Sequence, residues 1–168
     1  MNIILEGPDA SGKSLYANKF VEKGFTYFKC SPGEHAEKST FNKEYFEELL
    51  SRDSMVFDRF FISELVFSEL YNREQVISFD EVNNLVHKNI DNIKLIFLYA
   101  SDIDVLKNRC SERGEFEYLD ELEEQNMLFV KYAWIFDAYE SNNVILIDVS
   151  KYNSIEDVTN IIETIIGE

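Results

Sequence analysis

Short apolar runs alternate along this chain with longer segments in which apolar residues recur every three or four positions. The runs predict five strands, at Asn2 to Leu5, Thr26 to Lys29, Met55 to Phe57, Lys94 to Tyr99 and Val144 to Val149. The amphipathic segments predict helices over Lys13 to Lys23, Lys43 to Arg52, Ile62 to Tyr71, Phe79 to Asn89, Ile103 to Glu112, Leu119 to Ser141 and Ile155 to Ile166. Such alternation is the signature of a parallel sheet, because parallel neighbours require crossover connections and helices supply them on both faces. KLIFLY and VILIDV are almost continuously apolar, which predicts strands buried on both faces and lying at or near the middle of the sheet. Ser78 with Glu81, and Ser154 with Asp157, have the spacing of capping boxes and mark two helix starts.

Directly after the first strand, Gly7 to Ser14 reads GPDASGKS. This satisfies G-x-x-x-x-G-K-[ST] in the strand-to-helix setting that the motif requires. Gly7, Pro8, Asp9, Ala10, Ser11, Gly12, Lys13 and Ser14 would form a cradle for ATP. The glycines let the backbone close on an anion, successive amides point inward, and the following helix presents its positive end. Lys13 would reach the β and γ phosphates, and the Ser14 hydroxyl would hold Mg²⁺, a hard cation that takes oxygen ligands and keeps several waters. A turn that merely tightens packing explains both glycines but not Lys13 beside Ser14.

Two further constellations suit phosphoryl transfer. The third strand ends in Asp58-Arg59, at the carboxyl edge where ligands bind in open parallel sheets. Asp58 would hold a magnesium-bound water or take a proton from the attacking group, and Arg59 would clamp the acceptor or the migrating phosphoryl; the alternative is a surface ion pair. Arg109 and Arg113 are two of only five arginines in an acidic chain, and their i, i+4 spacing puts both on one helix face ahead of Gly114. They suit a short lid, about 109–118, that excludes water and neutralises charge, against the plainer reading of pairing with Glu112, Glu115 and Glu117. Asp9 inside the loop is electrostatically awkward beside phosphates, so it faces the second substrate or bonds its own turn.

The bulk numbers narrow the field. At 168 residues the chain fits a single domain over 1–168. Sixteen basic against thirty-two acidic residues give a net charge of -16, which disfavours nucleic-acid polymers and anionic membranes as partners. A small-molecule nucleotide or nucleoside in a local basic pocket remains compatible. Cys30 and Cys110 lack C-x-x-C spacing, so reduced thiols in a cytoplasmic setting are expected; His35 and His87 stand too far apart to suggest zinc. No apolar run reaches the length of a membrane span, and the amino terminus reads as a strand, not a signal peptide. Residues 117–139 carry more apolar side chains than a solvated helix needs, which means core, or in part a self-association face and a homodimer.

LEGPDASGKS at Leu5 to Ser14 and DRFFISEL at Asp58 to Leu65 resemble the thymidylate-kinase-like branch of the phosphate-loop kinases, and RCSERGEFEYL at Arg109 to Leu119 is similar to a short arginine-bearing lid. The resemblance implies an α/β, three-layer P-loop NTPase fold with a five-stranded parallel sheet in the order 2-3-1-4-5. It implies transfer of the ATP γ-phosphoryl to a deoxynucleoside monophosphate with Mg²⁺. On that basis Lys13 and Ser14 serve ATP and metal, Asp9 and Arg59 the acceptor, Asp58 the metal shell or base role, and Arg109 with Arg113 the lid. Aromatic residues near the acceptor, Phe28, Phe60 or Phe61, would stack on a base, expected to be a pyrimidine, or belong to the core. The chain departs from the family at Lys29-Cys30-Ser31-Pro32-Gly33, which keeps Pro32-Gly33 but lacks the arginine for the acceptor phosphate, leaving Lys29 or Lys38 as substitutes. Its short length and reduced lid suit a virus-encoded enzyme acting in a host cytoplasm. The alternative activity is a deoxynucleoside kinase, which needs a carboxylate base from Glu6, Asp9 or Asp58. A GTP-dependent switch is disfavoured because no N-K-x-D segment is present.

Overall fold

The computed structural model describes residues 1–30, 42–116, 119–140, 142–152 and 154–167, with the side chains of 138–140 left aside. Ser31, Pro32, Gly33, His35, Lys38, Glu117, Tyr118 and Ser141 therefore lie outside the described residues, as does the side chain of Tyr139.

Five strands form one sheet: β1 (Asn2–Glu6), β2 (Thr26–Lys29), β3 (Met55–Asp58), β4 (Ile93–Tyr99) and β5 (Val144–Asp148). They lie in the order β2-β3-β1-β4-β5, and every pairing is parallel. The helices are α1 (Lys13–Glu22), α2 (Lys43–Leu50), α3 (Phe61–Leu70), α4 (Phe79–Asn89), α5 (Ile103–Glu112), α6 (Leu122–Glu140) and α7 (Ile155–Ile166). A 3-10 turn, Ile90–Asn92, leads from α4 into β4. This is the three-layer fold that the alternation of strands and helices calls for.

The two-residue period of a strand explains the layers. Ile3, Leu5, Val56, Ile96 and Leu98 point to one face, where they pack with Tyr16 and Phe20 of α1, Leu106 of α5 and Val158 and Ile162 of α7. Ile4, Phe57, Leu95 and Phe97 point to the other, against Phe46 of α2, Leu65 of α3, Leu85 of α4 and Phe129 and Phe136 of α6. Both predicted capping boxes are present: Ser78 with Glu81 opens α4, and Ser154 with Asp157 opens α7.

One strand expectation is corrected. β4 is interior, but β5 is an edge strand, with Ile145 and Leu146 only half-buried. An apolar run reports what covers the two faces of a strand, not what lies beside it. Here α6 packs against β5, and Ile147 joins the cluster that includes α7. The apolar surface of α6 divides as well: Leu122, Leu128, Phe129, Tyr132, Ala133 and Phe136 are buried, while Met127 and Trp134 remain exposed.

Candidate active site

The carboxyl ends of β1, β2 and β3 meet at one edge of the sheet, and the loop from Gly7 to Gly12 crosses it before entering α1. Gly7 is fixed by space, since a Cβ there would stand 2.5 Å from the Leu98 carbonyl oxygen of β4. Gly12 is fixed by conformation, because it starts α1 at φ 90, in the left-handed region that favours glycine. Ala10 also takes a positive φ, 58°. Left-handed residues at alternate positions bend the backbone into the concave shape that anion-binding loops use.

Lys13 is buried and folds over this loop. Its ammonium donates to the carbonyls of Gly7 at 2.9 Å and Pro8 at 2.6 Å, and to Ser11 Oγ at 3.3 Å. Burial, reinforced by the Arg59 guanidinium, lowers its pKa to about 7, against the pull of Asp9, Asp58 and Glu6. Ser14 Oγ donates to Asp58 Oδ2 at 3.1 Å, and the Tyr27 hydroxyl donates to the same oxygen at 3.0 Å. Among the described residues no group of three or more His, Cys, Asp or Glu side chains is placed to hold a metal ion by itself.

Asp9 and Arg59 form an ion pair of 2.5 Å across the cleft. Arg59 sits at φ 66, rare for a bulky residue, so the surroundings enforce its position. Its guanidinium lies 4.7 Å from the ring centre of Phe67 and 6.0 Å from that of Phe129. Nη1 is buried and meets no hydrogen-bond partner among the described residues. Asp9 is gripped from its other side by Gln125 of α6, which accepts from the Asp9 amide at 2.9 Å and donates to Oδ2 at 3.0 Å. Burial would raise the Asp9 pKa, but the charges of Arg59 and Lys13 and the bonds from Gln125 and Arg59 carry it below the usual carboxylate range.

Two clefts flank the loop. One, of about 370 Å³, is lined by Asp9, Lys13, Lys29, Asp58, Arg59 and Arg113, among others. The second, of about 250 Å³, lies between Tyr16, Arg109, Arg113, Val149 and Tyr152. Arg109 reaches the carbonyls of Ala10 and Val149, each at 3.4 Å, so the helix before the lid leans on the phosphate loop.

The structure thus gathers Gly7 to Ser14, Asp58, Arg59, Arg109 and Arg113 around one edge and adds Lys29, one of the two substitutes for the missing arginine. Two of the three aromatic candidates go into the core, and the third, Phe28, is half-buried beside it. Phe60 and Phe61 are fully buried, with Phe60 stacked on Phe57, and Phe28 packs edge-on against Phe57. The core consumes the rings of Phe60 and Phe61 and leaves them no face for a nucleobase. Glu6 is also displaced from the cleft. It is fully buried and accepts from the amides of Phe60, Ile62 and Ser63 and from the Ser63 hydroxyl, clamping the start of α3. Sequence reasoning missed Gln125 and Tyr27. Gln125 falls in register with Leu122, Phe129, Tyr132 and Phe136 on the buried side of α6, and an amide on an apolar stripe was the available signal.

Fold and loop together define a P-loop protein, with a parallel sheet in the order β2-β3-β1-β4-β5 between helical layers. The SPbeta prophage-derived protein YorR of Bacillus subtilis (strain 168) is 32% identical over 120 residues, 70% of this chain and 72% of YorR. The chain belongs to the YorR family. The crystal structure of Bacillus subtilis YorR in complex with phosphorylated GDP has the same fold, with a TM-score of 0.80 at 24% identity over 99% of this chain and 96% of that one. Deoxyadenosine kinase of M. mycoides, in a structure with dCMP and dCDP as products, shares the fold at a TM-score of 0.64 and 15% identity, over 99% of this chain and 98% of that one. No protein-family model matches the chain. Among the described residues no helix is long and apolar enough to cross a membrane.

Proposed function

We propose that this protein is an ATP-dependent phosphotransferase that delivers the γ-phosphoryl of ATP to a deoxynucleoside monophosphate. One observation carries the reading: the phosphate loop faces a cleft whose far wall holds the Asp9–Arg59 pair, with a donor nitrogen of Arg59 still unspent. Lys29, Arg59 and Arg113 supply cations beyond Lys13, as an anionic acceptor and a charge-rich transition state require. The donor's base fits the second cleft, beside Tyr16, whose buried hydroxyl has no partner among the described residues. Ser14 Oγ and the Asp58 carboxylate are hard oxygen donors side by side at the loop, and they fit a Mg²⁺ ion that arrives with the triphosphate. Bound there, the ion would neutralise charge on the phosphates; the chain's own part is to bind, align and exclude water.

The other reading is phosphorylation of a nucleoside 5'-hydroxyl, favoured by the likeness to a deoxyadenosine kinase fold. That reaction needs a carboxylate free to take a proton. Glu6 clamps a helix, Asp9 is tied to Arg59 and Gln125, and Asp58 is taken by the cation in this reading, which weighs toward the monophosphate. ADP release from Mg-ATP against a panel of nucleosides and their monophosphates separates the two. Lys13→Ala should lose turnover by roughly several orders of magnitude with the fold intact, and Asp58→Asn should lose a large share. Release without preference for a monophosphate over its nucleoside overturns the acceptor assignment, and retained turnover in Lys13→Ala overturns the mechanism.

A further inference from the structure

Tyr27 sits on β2, the edge strand, and is 40% exposed. In register its partner on β3 is Val56, and Lys29 is paired with Asp58, so the two β2 side chains lie on the α1 side of the sheet, beside the phosphate loop. From there the phenol spans to the Asp58 carboxylate and meets Oδ2 at 3.0 Å, while Ser14 Oγ meets the same oxygen at 3.1 Å. Asp58 itself is buried, and these are the side-chain hydrogen bonds that hold it among the described residues. A carboxylate has two oxygens and a free χ angle, so the group that pins one oxygen decides where the other is presented. Tyr27 is too exposed to be a core residue, and nothing in packing requires its hydroxyl.

Resting on the phosphoryl-transfer reading above, we propose that Tyr27 is a positioning residue that holds the Asp58 carboxylate against Ser14 and thereby sets how tightly the protein takes ATP in its magnesium form. The hydroxyl does so through Asp58, without itself touching the nucleotide. A phosphate loop without such a strut would still bind ATP, but the cation would gain less from the protein.

The test is calorimetric ATP affinity for wild type and Tyr27→Phe, each with excess Mg²⁺ and each with EDTA, with Asp58→Asn alongside. Wild type should bind more tightly with Mg²⁺. Tyr27→Phe should lose about 3- to 10-fold of the affinity in Mg²⁺, the worth of one such hydrogen bond, and none in EDTA. Its thermal midpoint should fall by no more than about 2–6 °C, because the ring is retained and one hydrogen bond is lost. Asp58→Asn should remove most of the magnesium gain. An unchanged magnesium gain in Tyr27→Phe overturns the proposal, and so does an equal loss in both media, which would make Tyr27 a direct nucleotide contact or a general prop. If wild type binds ATP with no magnesium gain at all, both this inference and the phosphoryl-transfer reading fall. A normal gain in wild type with an unaffected variant sinks this inference alone.

Discussion

Lys13 is held in a position where its charge costs free energy. Burial and Arg59 bring its pKa to about 7, so near pH 8 much of the free protein carries it neutral. On the proposed function, a triphosphate would supply the missing counter-charge and return the ammonium to its charged form. ATP binding at pH 8 should therefore take up close to one proton, and near pH 6 hardly any, as read by calorimetry in buffers of different ionisation enthalpy. Lys13→Met should lack that uptake, and equal uptake in both proteins would exclude the lysine as its source. Glu6 shows the opposite sign. Burial raises its pKa to about 7, although the Ser63 hydroxyl, Arg59 and the amides of Ser63 and Phe60 pull it down. Between its ordinary value and 7 the folded protein holds a proton that the unfolded chain has lost, so this group stabilises the fold at low pH and the benefit fades as pH rises through 7. Glu6→Gln should flatten that part of the stability profile between about pH 4.5 and 7 in urea titrations. A difference between variant and wild type that does not change over this window would assign the raised affinity for protons to another group.

Helix α6 ties distant parts of the chain together at the site. Gln125 grips Asp9 across 116 residues of sequence, and its neighbour Asn126 bonds both the amide and the carbonyl of Ala100, just past β4, at 2.9 Å each. Gln125→Met keeps the volume and removes the bonds, leaving a buried amide and a carboxylate oxygen short of partners. That should cost about 1–3 kcal/mol of stability and raise the acceptor KM about tenfold, with the ATP KM changed by less than about twofold. An equal rise in both constants would make Gln125 a support of the loop as a whole. Elements of this kind mark the boundary of what the sequence reveals. Strand positions, the phosphate loop and both capping boxes depend on local periodicity and local spacing, so they could be read directly, to within a few residues at helix ends such as Leu122. The partner of Asp9 could not, because it depends on which face of a helix meets the loop after the chain has folded. The same limit explains Phe60 and Phe61: their neighbourhood to Arg59 in sequence suggested the site, but the turn at Arg59 delivers both rings to the core beside Phe46 and Phe57. The apolar run alone points β5 toward the middle of the sheet because composition is silent about lateral neighbours, whereas the order 2-3-1-4-5 implied by the resemblance puts it at the edge, where it lies.

At the scale of the whole molecule, the loop is the point where β1, α1, the β3–α3 turn and α6 converge, through Lys13, Arg59 and Gln125. A ligand seated there contacts groups from both faces of the sheet and is bound by the folded state alone, so it should stabilise the entire domain and not one segment. At a free concentration near 100 times Kd, Mg-ATP adds about 2.7 kcal/mol. For a chain of this size that raises the thermal midpoint by about 5–10 °C. In Lys13→Ala the ligand-induced rise should shrink to a small fraction, yet the unliganded midpoint should equal or exceed that of wild type, because the substitution removes a buried ammonium whose depressed pKa reports its cost to the fold. The two readings are linked: a site that binds polyphosphate by holding a lysine ready must accept a penalty in its free state that the ligand then relieves. A variant that loses its own stability and its ligand response together would show that Lys13 serves the architecture, and an unaltered ligand response would place the triphosphate away from the loop.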